Sequence, residues 1–567
     1  MSALIDAVKQ VSIPPSNEEE FNKWLEAKDA LAFLKTNARS DDFAMHVMLQ
    51  HTYIHGILVP NSRVISPNAE DLMAWNCGAD SSWSVCTTFS DPPTVSIVPP
   101  LDSPGSAILR HGEQLVFSRH FEGRLDKAHY YEILQKFIHL FDLHFLPERD
   151  AYCRLDKHGD IEDVVRIIDI PSKRDEMGGA IVIFTRSVLD EYLVLTDSVI
   201  IRPFDFTRYR PPFSHWGNHE DVHTSSGTDL FYRFHIERGN ASYLRGCEIV
   251  RPLASKESIL RRYDFRGHDE DKQYASFIAY DWKNRIVREI SCAPGATSNY
   301  FTKSSLPFEV TPAFFRPEVL LKYKADSDKY RLEDRSIFCR GAWYLKSYDI
   351  NEAGQVHTYL VDLRNLPYEE QLYWKSYNER PKASISRRAM KTDFEACWDS
   401  DFDALVSLRN TLRELHRDRV PWWTMRTEKL IEQVHYPVTA APDEWAEEIL
   451  HLDQLVVEGV DGKWLKTRAE QLGRPVDPTF GSLRRLEECL VGAGLASEEA
   501  KSLLAPFREL HDFRSKVKGH ATGSEATALK QQILQEHGSF RKHYESLSSR
   551  CDQSLREIAK IIDATNS

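Results

Sequence analysis

The apolar residues of this chain keep one rhythm through its middle and another toward its carboxyl end, and no single layer type accommodates both. Leu230, Tyr232, Phe234 and Ile236 alternate with Phe231, Arg233 and His235, the period of a strand with one face turned inward. Beyond about residue 391, Leu405, Leu408, Leu412 and Leu415 recur at spacings of three and four. Trp445, Ile449 and Leu452 repeat that spacing, and so do Leu483, Leu486 and Leu490. The expectation is an α+β chain, with a large β-rich N-terminal body followed by a C-terminal all-α helical bundle. Its divisions are expected as an N-terminal helical segment over 1–40, the β-rich body over 41–390 and the bundle over 391–567.

Within the first part, Ser16-Asn17-Glu18-Glu19-Glu20 offers a capping box. The stripe Phe21, Trp24, Leu25 and Leu31 then predicts one helix ending near Asn37. Prolines at 92, 93, 99, 100 and 104 punctuate short β-rich runs such as Val95 to Val98 and Gln114 to Phe117. A helix is expected from Lys127 to Leu143, with Tyr130, Tyr131, Phe137 and Phe141 in the core. Ile181 to Phe184 and Val199 to Ile201 read as fully buried strands. Two hairpins are expected, Tyr274 to Tyr280 with Arg285 to Ile290, and Ala342 to Tyr348 with Val356 to Leu363. Asn378 to Lys391, with Arg380, Lys382, Arg387, Arg388 and Lys391, reads as a linker or a basic edge.

Composition bounds the function. The 567 residues are 42% hydrophobic and 28% charged, the balance of a water-soluble globular chain of about three or four domains. No apolar run is long enough to span a bilayer, and Met1 to Ile13 lacks the pattern of a signal peptide. A cytoplasmic protein with no membrane partner is therefore expected. The net charge of -13 argues against a chain coated in nucleic acid, although a local basic groove is compatible with it. The nine cysteines form no C-x-x-C pair and suit free thiols in a reducing compartment. Phosphate-cradling and dinucleotide-binding glycine motifs are absent, as are recognisable serine or cysteine nucleophile motifs, and no cofactor is expected.

The stretch with the most chemistry runs from Pro506 to Ala521. Phe507, Leu510, Phe513 and Val517 give a helix an apolar side, while Arg508, Glu509, Asp512 and Lys516 occupy the other. Gly519 is suited to the position just past the last turn, placing His520 at or beyond the terminus. On an unbroken helix Arg514 and His520 would stand about 120° apart and roughly 9 Å apart along the axis. A break at Gly519 allows them to converge. A guanidinium forks onto phosphate oxygens and an imidazole exchanges protons near neutrality, so the two suit RNA cleavage by the ribose 2′-hydroxyl without a metal.

With five residues between Arg514 and His520, the stretch resembles the HEPN superfamily, small helical domains carrying an Arg, four to six residues and a His. The resemblance covers the C-terminal third. It implies an RNA substrate, Arg514 binding and polarising the scissile phosphate, His520 in proton transfer or orienting the ribose, and a homodimer lining one cleft. It also implies regulation by the N-terminal body, which would receive a protein or nucleic-acid trigger, as in resembling proteins of bacterial antiviral defence. Glu509 and Asp512 are candidates for orienting the basic pair. Other Arg-to-His intervals, Arg210 to His215, Arg262 to His268 and Arg409 to His416, have poorer helical context or no releasing glycine.

Two further readings compete. His219-Glu220-Asp221-Val222-His223 is a literal H-E-x-x-H with His215 upstream, a zinc-hydrolase pattern if it is helical. Its flanks, Pro211-Pro212 and Thr224-Ser225-Ser226-Gly227, suit a polar loop instead. The other is a non-catalytic scaffold whose helices merely dimerise. Trp422 and Trp423 resemble a base-stacking platform but are expected in the core.

Overall fold

The run Ile181-Val182-Ile183-Phe184 is apolar without alternation because its strand is covered on both faces. In the computed structural model Ile181 and Ile183 pack with Val8, Phe33 and Leu34, whereas Val182 and Phe184 pack with Phe137, Leu189 and Tyr192. The structure describes residues 2–76, 78–80, 82–101, 106–110, 112–123, 129–171, 178–216, 222–263, 272–397, 403–427, 429–518 and 523–566. The chain is mixed α+β, 40% helical and 26% strand, with a sheet-rich N-terminal part and C-terminal helices. Two compact units are formed: Met1–Asp156 with Ile161–Glu270, and Lys157–Asp160 with Asp271–Ser567.

The first unit is built on a 12-stranded sheet whose main path runs from His223–Ser226 through Leu230–Glu237, Ala241–Val250, Ser198–Tyr209, Thr52–His55, Asp42–Leu49, Gly179–Thr185, Ile161–Ile170 and Ala151–Leu155 to His144–Leu146. The N-terminal helices Ser2–Ser12 and Lys28–Asn37 pack on one face of it, and Glu18–Leu25 packs through Phe21, Trp24 and Leu25 against Ile236. Asn17 caps Glu18–Leu25, accepting from the backbone of Glu19 and Glu20. The single helix expected up to Asn37 is interrupted at Ala27, whose φ of 54° is left-handed. The helix expected from Lys127 to Leu143 is a strand, His129–Ile133, followed by a short helix, Gln135–Leu140. Pairing with Val116–His120 overrides the helical spacing of its aromatics.

Two fully buried arginines tie the helices to this sheet. Arg202 bonds Glu248, Asn37 and the carbonyls of Ala44 and Leu34, with its guanidinium 4.7 Å from the Phe43 ring. Arg208 forks onto both Asp29 oxygens at 2.8 and 2.9 Å and also donates to the carbonyls of Val11 and Trp24. Replacing Arg208 with leucine strands Asp29 and two carbonyls, so a loss of about 3 kcal/mol is expected in urea unfolding. An unchanged midpoint would show that water restores those contacts.

The second unit has a six-stranded sheet in which the hairpin Ser276–Asp281 and Ile286–Ser291 forms as expected. The other hairpin is shorter than expected: Tyr348–Ile350 pairs with Val356–Tyr359, while Trp343–Leu345 pairs with Ile337–Cys339. The basic stretch near residue 390 is an edge with fixed partners. Asn378–Glu379 pairs with Pro312–Phe315, and Arg388 is held by Asp349 and Asp334. The helices from Ala404–Arg417 to Phe540–Asn566 share a second core containing Trp422, Trp423 and Trp445. The change of texture at about 390 thus separates two cores inside one compact unit, whose own limit falls at Asp271. Lys324, buried against Glu444 and Glu448, joins those cores. Among the described residues no helix is long and apolar enough to cross a membrane.

Candidate functional site

The helix Ala505–Lys518 presents Phe507 and Leu510, both fully buried, to the bundle core. Phe513 continues the stripe, its ring 6.1 Å from Trp445 and 5.1 Å from His543. Leu510, Phe513 and their partners therefore fix the rotation of the helix, and that rotation places His511 and Arg514, three residues apart, toward the end of a neighbouring helix. The neighbour is Pro442–Val456, which carries Asp453 in its last turn and Glu458 just beyond. A helix C-terminus is already electronegative, so two carboxylates there demand cations.

Arg514 supplies one. Its Nη1 donates to Asp453 Oδ2 at 2.9 Å and pairs with Glu458 Oε1. Arg426 takes the other oxygen of Glu458 at 2.6 Å. His511 Nδ1 lies 3.2 Å from Asp453 Oδ1. An ionised carboxylate only accepts, so Nδ1 carries the proton and Nε2 is left as the acceptor nitrogen. Asp453 is fully buried, whereas the side chains of His511 and Arg514 are 47% and 31% exposed. Burial pushes the Asp453 carboxyl up from its ordinary value, opposed by His511 and then Arg514. One sealed carboxylate thus holds an accessible imidazole and a partly accessible guanidinium in a fixed relation.

His520 lies outside the described residues, as do His219 and Glu220. Of the two residues expected to orient the pair, one has another partner. Glu509 is engaged by both terminal nitrogens of Arg550, at 2.5 and 2.9 Å, and Asp512 is exposed. Arg514 itself is held by Asp453 and Glu458. Their separation in sequence from Arg514 hides the pairing, whereas the spacing of His511 and Arg514 was itself readable.

Of the other candidates, His215 and His223 are among the described residues. His223 begins the strand His223–Ser226 and pairs with Phe234, so it is not on a helix with His219. His215 is exposed, its Nδ1 3.1 Å from the Ser214 hydroxyl. Among the described residues no group of three or more His, Cys, Asp or Glu side chains is placed to hold a metal. Trp422 and Trp423 are buried, as expected, and Trp423 Nε1 donates to the Val456 carbonyl. The eight described cysteines are free thiols, Cys86 and Cys397 being exposed. Comparison with protein-family models, with curated proteins and with solved structures returns no match to this chain.

Proposed function

We propose that this chain is a metal-independent, HEPN-like ribonuclease with its reactive centre at Arg514. The observation that carries the reading is the buried Asp453, which holds His511 and Arg514 together at the accessible end of the bundle. In this scheme the ribose 2′-hydroxyl attacks the adjacent phosphorus and gives its proton to an imidazole nitrogen. Arg514 stabilises the charge gathering on the non-bridging oxygens, and the 5′-oxygen leaves with a proton. The products are a 2′,3′-cyclic phosphate and a 5′-hydroxyl. His520, the histidine of the Arg-to-His motif, is the second proton carrier, and His511 is the one whose orientation Asp453 fixes. A homodimer, and restraint of the nuclease by the N-terminal unit in bacterial antiviral defence, belong to the same proposal.

The test is incubation of purified protein with single-stranded RNA in excess EDTA. Cleavage is expected, with its loss in Arg514→Ala and in His520→Ala. Intact RNA under all conditions, including after dimer formation is verified by light scattering, would overturn the reading.

A second reading has a specific observation in its favour. Both acids at the end of Pro442–Val456 use Arg514, so its first duty is to neutralise them, as in a non-catalytic scaffold. Stability separates the two. Arg514→Ala leaves the buried Asp453 short of a partner and should cost on the order of 3 kcal/mol. Adding Asp453→Asn should restore much of that stability. In a scaffold the double variant recovers dimerisation in full, whereas in a nuclease it remains inactive.

A further inference from the structure

In the first unit, adjacent strands align a polar row across one face of the large sheet. Tyr53 is opposite Asp205, Asp205 opposite Arg245, and Arg245 opposite Arg233. Directly paired positions point to the same face, and like charges set opposite one another are destabilising. Among the described residues no carboxylate forms an ion pair with Arg233 or Arg245. Asp205, the nearest acid in the row, accepts from the Thr207 hydroxyl and also feels the charge of Arg245. Two neighbouring guanidinium groups therefore face the same space, with Asp205 on the far side of Arg245 as the one acid of the row.

Aromatic rings flank that space. Arg245 lies over the buried Trp75, 4.3 Å from its ring, and donates to the Trp75 carbonyl at 2.8 Å. Trp75 is fixed in turn by its Nε1, 2.9 Å from the Gly246 carbonyl, and by stacking with Tyr53. Trp216 stands edge-on to Tyr243, with ring centroids 5.1 Å apart. Trp75, Trp216, Tyr243, Arg233, Arg245 and Asp205 line a cavity of about 420 Å³. That volume is within the ~300–1,000 Å³ span of small-molecule sites.

We propose that this cavity binds a nucleotide. The guanidinium pair suits phosphate oxygens, which it can grip in forked fashion. The rings offer planar surfaces for a base, where stacking contributes about 1–3 kcal/mol. Asp205 accepts from a ribose hydroxyl or a base amino group. A simple oxyanion would leave the aromatic walls unused, and a neutral ring would leave Arg233 without an anion among the described residues. The nucleotide is either free or the exposed end of an RNA strand, since both carry the same phosphate and base.

Calorimetry on the full chain tests the proposal with four probes: the common nucleoside 5′-monophosphates, the matching nucleosides, inorganic phosphate and a short single-stranded oligoribonucleotide. At least one monophosphate, or the oligonucleotide alone if the ligand is a strand end, should bind saturably at one site per chain. Arg233→Gln and Arg245→Gln should each weaken it about tenfold or more, and Trp216→Leu should weaken the base-bearing probes. Both arginines are on the exposed side of their strands, and circular dichroism verifies that the variants stay folded. The proposal is overturned if neither monophosphate nor oligonucleotide binds. It is also overturned if both arginine variants bind normally, or if phosphate or nucleoside alone binds as tightly as the nucleotide. Because the readout is binding, its outcome is independent of whether Arg514 cuts RNA.

Discussion

His511→Ala is expected to slow RNA cleavage in EDTA by about 10²- to 10⁴-fold, the range for losing a positioned acid or base. The unfolding midpoint should move little, because the His511 side chain is half exposed and contributes no packing comparable to Phe507 or Leu510. That contrast makes it more informative than Arg514→Ala, which removes a chemical group and a structural cation together. Arg514→Lys refines the point: an ammonium keeps the charge beside Asp453 and Glu458 but loses the planar fork. Stability should largely survive in that variant while cleavage falls by at least about tenfold. Rates of a labelled RNA strand, measured beside urea midpoints for each variant, check both statements. If His511→Ala cuts at the wild-type rate, the proton carriers lie elsewhere in the bundle.

The second large effect concerns acid. His46, His357 and His543 are all buried, and burial holds each at about 4, against an ordinary value of 6.5. Two of them also use a ring nitrogen as an acceptor. His357 Nε2 receives the Ser386 amide at 3.0 Å, and His543 Nδ1 receives the Trp445 indole at 3.2 Å. Protonation would turn each acceptor into a donor facing a donor. Their folded values lie below the unfolded value, so between about pH 6.5 and 4 the unfolded chain binds protons that the folded chain refuses. These three rings should therefore lose stability with acid through that window, while Asp362, which burial raises to about 7, works in the opposite sense and offsets one of them. The slope approaches about 1.4 kcal/mol per pH unit for each histidine. Urea unfolding at pH 7.5, 6 and 5 gives the slope, and His357→Gln with His543→Gln should reduce it. An unchanged slope in that double variant would contradict the assignment of these rings as neutral.

The sequence was most informative where covering layers are simple. The continuous apolar run at Ile181 to Phe184 and the helical stripe at Leu405, Leu408, Leu412 and Leu415 both mark buried surfaces whose period is set by one element alone. It misled where a partner strand or one residue decides. Tyr130, Tyr131 and Phe137 fit a helix by spacing, yet the first two are paired across to Arg119 and Ser118. Ala27 ends a helix by adopting a left-handed conformation that nothing in an alanine announces.

The candidate site shows the same division. The amphipathic helix bearing Arg514 is local information and was legible. The carboxylates that grip it come from the end of another helix, and Glu509, which looked available, is claimed by Arg550. Such pairings depend on how helices pack, and spacing within one helix does not report them. His511 was overlooked for a different reason: it lies among Glu509, Asp512 and Arg514 as one more polar residue, and only the buried Asp453 beside it gives it a direction.

The proposed reactive centre at Arg514 is tested most directly by offering the wild-type chain, in EDTA, an RNA strand and its all-2′-deoxy counterpart, and identifying the ends produced. The expected result is a cut RNA bearing 2′,3′-cyclic phosphate and 5′-hydroxyl ends, an intact deoxy strand, and no cut RNA with Arg514→Ala. Cleavage of both strands, 5′-phosphate ends, or undiminished cutting by Arg514→Ala would contradict it.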